Sequence, residues 1–315
     1  MSDVEAVFHE LRPLMFSIAY RMLGSAGDAE DVVQEAFIRY HSAAAAGGAV
    51  IESPKAYLSA VVTRLSIDRL RSAVVRRESY VGQWLPEPLL TDGGDADPAT
   101  HAELADSLSM AFLLVLERLN PVERAVFLLH DVFGYGYDEI AVIVRKGEAN
   151  CRQLVSRARR HVRSEQPRFE ATREQRDDLA TRFFAAFTEG DMDGLVELLA
   201  VDARTYGDGG GKAPQWSTPI VGAENIARLF MAMSKQLRAH ELSLEQREVN
   251  GQPGAVIRTR DGEVINVFSL DIVDGHVQAI RSVINPDKLR HLGPVADVRA
   301  LGRQRTSGPT DASAS

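Results

Sequence analysis

Cysteine is all but missing from this chain. Cys151 is the single one among 315 residues, which excludes an internal disulfide and leaves no cysteine-rich metal site to build. No cofactor or metal is expected. Long apolar runs are missing too: none reaches the ~18 residues of a membrane span. The N-terminal residues lack the basic-then-apolar layout of a secretion signal. A cytoplasmic protein without a membrane partner is expected. Positive charge is scarce overall, with a net charge of −8, the wrong sign for gripping nucleic acid along the whole chain. Catalytic pairing is scarce as well. Asp208, Tyr206, Trp216 and His276 would at most line a pocket, and no base with an orienting partner is found, so the chain is read as not an enzyme.

The missing positive charge is concentrated locally. Residues 145–163 hold seven Lys or Arg against Glu148 alone, and residues 64–77 hold five Arg against Asp68 alone. Between them, residues 78–106 carry seven acids and neither Lys nor Arg. Such alternation fits local binding to nucleic acid, with acidic stretches left for a basic partner or for the chain itself.

The first basic stretch is YDEIAVIVRKGEANCRQLVSRARRHVR, residues 137–163. Ile140, Ala141 and Val144 predict a short helix, Lys146-Gly147 a tight turn, and residues 148–162 a second helix. Cys151, Leu154, Val155 and Ala158 make one apolar stripe on the second helix. Arg145, Lys146, Asn150, Arg152, Gln153, Ser156, Arg157 and Arg160 occupy the turn and the other faces. These residue types contact phosphates and base edges, and one helix fits the major groove. A helix-turn-helix is predicted.

Upstream, residues 3–41 predict two helices broken at residues 24–27. Asp28 is read as N-cap, Val33, Ala36, Phe37 and Tyr40 face inward, and Asp31, Gln34, Glu35 and Arg39 face outward as an ordinary solvated face. Ser53-Pro54 starts a third helix, continuing to residue 77 with Arg64, Arg69, Arg71, Arg76 and Arg77. Tyr57 and Tyr80 lie nearby, and aromatics beside arginines suit unstacked bases. Residues 82–98 read as a linker, although Trp84 and Leu85 predict that it docks on a neighbouring domain. Helix resumes over 99–118, and Asn120-Pro121-Val122-Glu123 opens the helix before the motif.

Beyond residue 172 the pattern changes. Helices over 174–188, around Leu195–Leu199 and over 224–237 alternate with strands at 203–206, 241–249, 255–260, 263–273 and 276–284. Asp261-Gly262 and Asp274-Gly275 are hairpin signals. A compact α+β domain with a curled antiparallel sheet is expected, with Asp208 in a glycine-rich turn.

Three stretches together resemble the extracytoplasmic-function sigma factors of bacterial RNA polymerase. AGDAEDVVQEAFIRYH (26–41) resembles the region that docks on the polymerase clamp, residues 57–77 the region that melts and reads the −10 element, and residues 120–160 the region that reads the −35 element. The resemblance implies core RNA polymerase (its beta-prime and beta subunits) and promoter DNA as partners. It assigns Asp28, Asp31, Gln34 and Glu35 to the polymerase, overriding the solvated reading. It assigns Tyr57, Arg64, Ser66, Asp68, Arg69, Arg71 and Arg76 to the −10 element, and the eight helix-turn-helix residues above to the −35 element. Ser66 stands where the family usually has Asn, and Gly147 where it commonly has a Ser cap. The acidic linker is similar in place to the segment that threads toward the polymerase active site.

The C-terminal part resembles the SnoaL-like cone, an α+β fold. WLPEP with Trp84 and Leu85, DGGGK (Asp208, Gly209, Gly210, Gly211, Lys212) and NPDKL with Asn285, Pro286, Asp287 and Lys288 resemble marks of the sigma factors that carry this extension. The resemblance implies regulation in cis, and leaves a small-molecule ligand in the cone open. Lys212 and Lys288 are read as ionic contacts to the acidic linker or the sigma domains. The expected fold class is multidomain: all-α sigma domains (helical bundle plus helix-turn-helix) followed by the cone. The expected bounds are 1–80 and 99–168 for the sigma regions, 81–98 for the linker, 172–292 for the cone and 300–315 for a disordered tail. The alternative, a ligand-sensing helix-turn-helix regulator without polymerase, leaves the polymerase and −10 stretches unexplained.

Overall fold

The computed structural model describes residues 3–45, 51–78, 80–92, 107–165 and 172–303. The chain divides into two compact units, residues 1–79 with 98–167, and residues 80–97 with 168–315. Among the described residues no helix is long and apolar enough to cross a membrane.

Among the described residues, the regular structure of the first unit is all helix. α1 (Asp3–Leu23), α2 (Ala26–Ala45) and α3 (Pro54–Glu78) pack together, followed by α4 (Met110–Leu116), α5 (Pro121–Phe127), α6 (Tyr137–Val144) and α7 (Glu148–Glu165). The break between α1 and α2 is made by Gly24 at φ 65°. Ser25 rather than Asp28 caps α2: its Oγ accepts the Asp28 N–H at 3.1 Å, which leaves Asp28 in the first turn where the helix dipole favours acids. Met15, Ile18, Tyr20, Val32, Val33, Ala36 and Leu58 are buried. Asn120 caps α5 by accepting the Glu123 N–H at 2.9 Å. Beyond α5 the chain makes one π turn (Leu128–Val132) before Gly134 at φ 69°. The helix expected over 99–118 is described only as α4, capped by Ser109; residues 93–106 lie outside the described residues.

The second unit is built from α8 (Arg173–Glu189), α9 (Met192–Leu198), β1 (Leu199–Asp208), β2 (Ile220–Val221), α10 (Ala223–Ala239), β3 (Ser243–Val249), β4 (Gln252–Arg258), β5 (Val264–Val273), β6 (His276–Val283), α11 (Pro286–Leu289) and α12 (Val298–Arg303). The six strands run in the order β2-β1-β6-β5-β4-β3. The sheet is mixed, not wholly antiparallel as expected, because β1 lies parallel to β6. Phe183, Phe187, Phe230 and Phe268 knit α8 and α10 to the sheet; Phe187 and Phe230 meet edge-to-face at 4.9 Å. This is the α+β cone, with α8 and α9 before the sheet and α10 inserted between β2 and β3. The β3–β4 hairpin turns on Asn250-Gly251, both at positive φ (54° and 69°), the preferred two-residue turn. The start of the expected disordered tail, residues 300–303, is helical in α12; residues 304–315 lie outside the described residues.

Candidate nucleic-acid interface

The helix-turn-helix forms as the spacing predicts. α6 buries Ile140 and Ile143, with Val144 half-buried, and α7 buries Cys151, Leu154, Val155, Ala158 and Val162. Cys151 packs as a small hydrophobe, and burial pushes its thiol pKa up, away from reactivity. The turn closes on Arg145 in the left-handed region at φ 54° and on Gly147, whose carbonyl accepts the Cys151 N–H at 3.0 Å. Arg145, Lys146, Asn150, Arg152, Gln153, Ser156, Arg157 and Arg160 are all exposed. Arg152 pairs with Glu148 at 3.1 Å and lies 5.1 Å from the Tyr137 ring centre, while Arg157 sits 3.5 Å from Glu123. Arg159 turns away to a bidentate pair with Asp131, at 2.7 Å for both bonds. Six of the eight residues predicted for the −35 element are therefore exposed on α7, and Arg145 and Lys146 are exposed in the turn before it.

The residues predicted for the −10 element are scattered by comparison. Ser66 is fully buried on α3 and cannot meet a base in this arrangement: helical periodicity puts it beside Val62 and Leu70, on the core side. Tyr57 packs against Tyr40 with ring centres 6.0 Å apart. Arg64 donates to the carbonyls of Val142 and Ile143 at 2.8 Å each, capping the C-terminal end of α6. Burial, with Arg145 close by, lowers the Arg64 pKa. Ser59 and Tyr135 add a buried 2.6 Å hydrogen bond. Asp68 and Arg71 pair with each other in the open at 3.2 Å. The Arg76 side chain lies outside the described residues. Tyr80 belongs to the second unit and serves there as a hydrogen-bonding group rather than a stacking platform.

Of the patch predicted for polymerase, Gln34 is exposed and Glu35 pairs with Arg39 at 2.8 Å. Asp28 and Asp31 are both taken by Arg69, at 2.8 and 3.2 Å. The sequence reading split these three residues between polymerase and DNA.

In the second unit the three marked motifs converge on one clamp. Asp208 ends β1 and is fully buried, not a turn residue. Its Oδ2 accepts the Leu85 N–H at 2.8 Å and Lys288 Nζ at 2.6 Å, and its Oδ1 accepts the Tyr80 hydroxyl. Lys288 Nζ also donates to the Leu85 carbonyl and lies 4.4 and 4.9 Å from the ring centres of Trp84 and Tyr80. A buried ion pair is tolerable only when its remaining donors and acceptors are also matched, and here the linker supplies those matches. Burial, then the hydrogen bond to Asp208, pushes the Tyr80 hydroxyl pKa well up. Asn285 caps α11 and donates to the Tyr80 oxygen at 2.8 Å. Gly210 and Gly211 sit at φ 57° and 69°, and a Cβ on Gly210 would collide with the Asn285 amide. Lys212 pairs with Asp287 and Lys288 with Asp208.

The linker continues along the sheet. His291 Nε2 meets the Pro88 carbonyl at 2.7 Å, Leu89 and Asn250 exchange bonds at 2.9 and 2.8 Å, Leu90 bridges antiparallel to Val249, and Asp92 pairs with Arg247. Tyr80, Arg247, Asn250 and His291 went unrecognised as linker-holding residues; only Tyr80 stood out beforehand, and for another role. Of the four pocket candidates Trp216 lines a cavity, Asp208 holds the linker, Tyr206 lies under Arg281, and His276 is exposed.

Residues 7–75 match Sigma-70 region 2, and residues 109–162 match Sigma-70 region 4. The chain is 36% identical over 312 residues to the ECF RNA polymerase sigma factor SigJ of Mycobacterium tuberculosis, covering 95% of this chain and 97% of the relative. It is 31% identical over 299 residues to the probable ECF RNA polymerase sigma factor SigI of the same species, covering 91% and 94%. The crystal structure of M. tuberculosis SigJ superposes with a TM-score of 0.70 at 33% identity, over 90% of this chain and 97% of that one.

Proposed function

The chain belongs to the extracytoplasmic-function sigma factors of RNA polymerase, and from that premise we propose that its C-terminal cone restrains initiation by holding the linker. The observation that carries this reading is the docked linker. In sequence, residues 80–92 join the two sigma regions, yet they are clamped by Asp208, Lys288, Asn250 and Arg247 of the cone. A linker held there is withdrawn from polymerase, so docking opposes transcription and release permits it.

In this reading Asp28, Asp31, Gln34 and Glu35 meet core polymerase, the exposed face of α7 reads the −35 element, and Arg64, Arg69 and Arg71 serve the −10 element. Binding is the whole of the chain's chemistry, and catalysis stays with the polymerase. Magnitudes require the first unit to open beforehand. Elements centred 25 base pairs apart lie about 85 Å apart along the duplex. Arg64 is bonded to Ile143 at 2.8 Å, and Asn150, seven residues further on, can lie no more than about 25 Å from Ile143. The closed unit therefore cannot span both elements. Weak promoter binding by the free chain follows, with core polymerase selecting the open form.

The test is run-off transcription with purified core polymerase, comparing the full chain with one ending at Arg168. Promoter-specific transcripts that require the chain, and that increase on truncation, support both parts. Equal output from the two chains refutes restraint by the cone. Tight duplex binding without polymerase and no transcripts would refute the site assignments.

A further inference from the structure

A cavity of about 410 Å³ lies between α10 and the sheet of the cone. Leu229, Met233, Leu237, Ile257 and Ile265 line it, together with Trp216. Among the described residues no Lys, Arg, Asp or Glu lines it; the polar groups are Gln215, Asn266, Gln236 and His240. Gln236 is exposed and His240 half-buried, so these two mark its outer end. Asn266 is buried, and it and Gln215 are fixed through one hydroxyl: Ser282 Oγ takes the Gln215 amide at 3.1 Å and bonds Asn266 at 2.9 and 3.0 Å. An apolar cavity of about 150 Å³ takes up benzene, so this one has room for two or three rings. A charged ligand would enter with no countercharge on the walls and would lose its hydration.

The wall of the cavity is also the back of the linker clamp. Gln215 lies over Gly207, next to Asp208. Ile284, in the wall, donates its N–H to the Asp208 carbonyl at 2.9 Å. The Trp216 carbonyl lies 3.5 Å from Gln83 Nε2 of the linker. We propose that this cavity binds an uncharged, largely apolar molecule of two or three rings, whose single polar end is held by the Gln215 and Asn266 carboxamides, and that its occupancy tightens linker docking. By linkage, a ligand that orders this wall strengthens what the wall holds, by the same factor that docking strengthens the ligand.

The effect on transcription rests on the reading given under Proposed function, but binding does not, so the test avoids transcription. The full chain is titrated with prodan, an uncharged two-ring naphthalene ketone, by fluorescence, with anilinonaphthalene sulfonate as the anionic comparison. Saturable one-to-one prodan binding is expected, tighter than that of the sulfonate, and lost about tenfold or more in Met233→Trp, which fills the cavity. Should that variant fail to melt like the wild type, Leu229→Trp takes its place, and Gln215→Leu tests the polar end with an expected loss of about fivefold. At saturation the Leu85 amide should exchange its hydrogen about fivefold more slowly. No saturable binding, equal binding by the filled variants, or tighter binding of the anion overturns the site. Unchanged Leu85 exchange at saturation overturns the coupling. Either failure leaves restraint by the cone to be judged by the truncation experiment alone.

Discussion

Replacing Lys288 by Met isolates the clamp. Asp208 is fully buried, and in the variant it keeps the Leu85 N–H and the Tyr80 hydroxyl but loses the Lys288 ammonium that balances its charge. Removing one partner of a buried pair costs about 3–5 kcal/mol. The two surviving donors argue for the lower end, about 3 kcal/mol, or roughly 150-fold in an equilibrium. The cheapest escape is local: lifting the linker lets water reach Asp208 without unfolding the cone. Exchange at the Leu85 amide should then quicken by about a hundredfold, while the Ile284 amide, bonded to the Asp208 carbonyl, changes little. Adding Asp208→Asn should recover most of the loss, because it removes the stranded charge. Hydrogen exchange of the full chain, read residue by residue, measures all three proteins. Leu85 exchange in Lys288→Met within about twofold of wild type, the scatter of ordinary surface changes, would show that the pair does not hold the linker.

Three other perturbations test separate parts. Gln153→Ala should relax promoter choice within the −35 element at a cost of about 1–3 kcal/mol, read by run-off on a randomised element; unchanged selection removes Gln153 from the reading face. Tyr135→Phe strands the buried Ser59 hydroxyl for about 1–3 kcal/mol; it should lower the melting temperature and raise promoter binding by the free chain, and a gel shift without that rise counts against the closed form. The hydrogen bond from Arg247 holds the Asp92 carboxyl below the ordinary carboxylate range. A depressed folded value means stability present above about pH 4 and lost as pH falls through the lowered value, so the gap between wild type and Asp92→Asn in urea unfolding should close in acid.

The helix-turn-helix was legible because local periodicity, a glycine-containing turn and a basic face coincide within residues 137–163. The cone's strands were legible one at a time, from alternation and Asx-Gly turns. The parallel pairing of β1 with β6 was not, because roughly seventy residues separate them and no local pattern encodes their register. Ser66 was misplaced by carrying over a role without asking which side of α3 it faces, although Val62 and Leu70 give the answer. Asp208 looked like a turn residue because its glycine neighbours dominate the local pattern; its partners, Leu85 and Lys288, lie 123 and 80 residues away. Sequence motifs flagged all three parts of the clamp without showing that they meet.

The linker is fastened to the cone at successive points. Leu85 is held by Asp208 at the end of β1, Pro88 by His291, Leu89 by Asn250 and Leu90 by Val249 at the end of β3. Two residues of the span, Pro86 and Pro88, already favour the extended form, which leaves fewer conformations to lose on docking. Once one fastening is made, the next is an intramolecular event, so the strap holds more tightly than any single contact and lets go when several fail together.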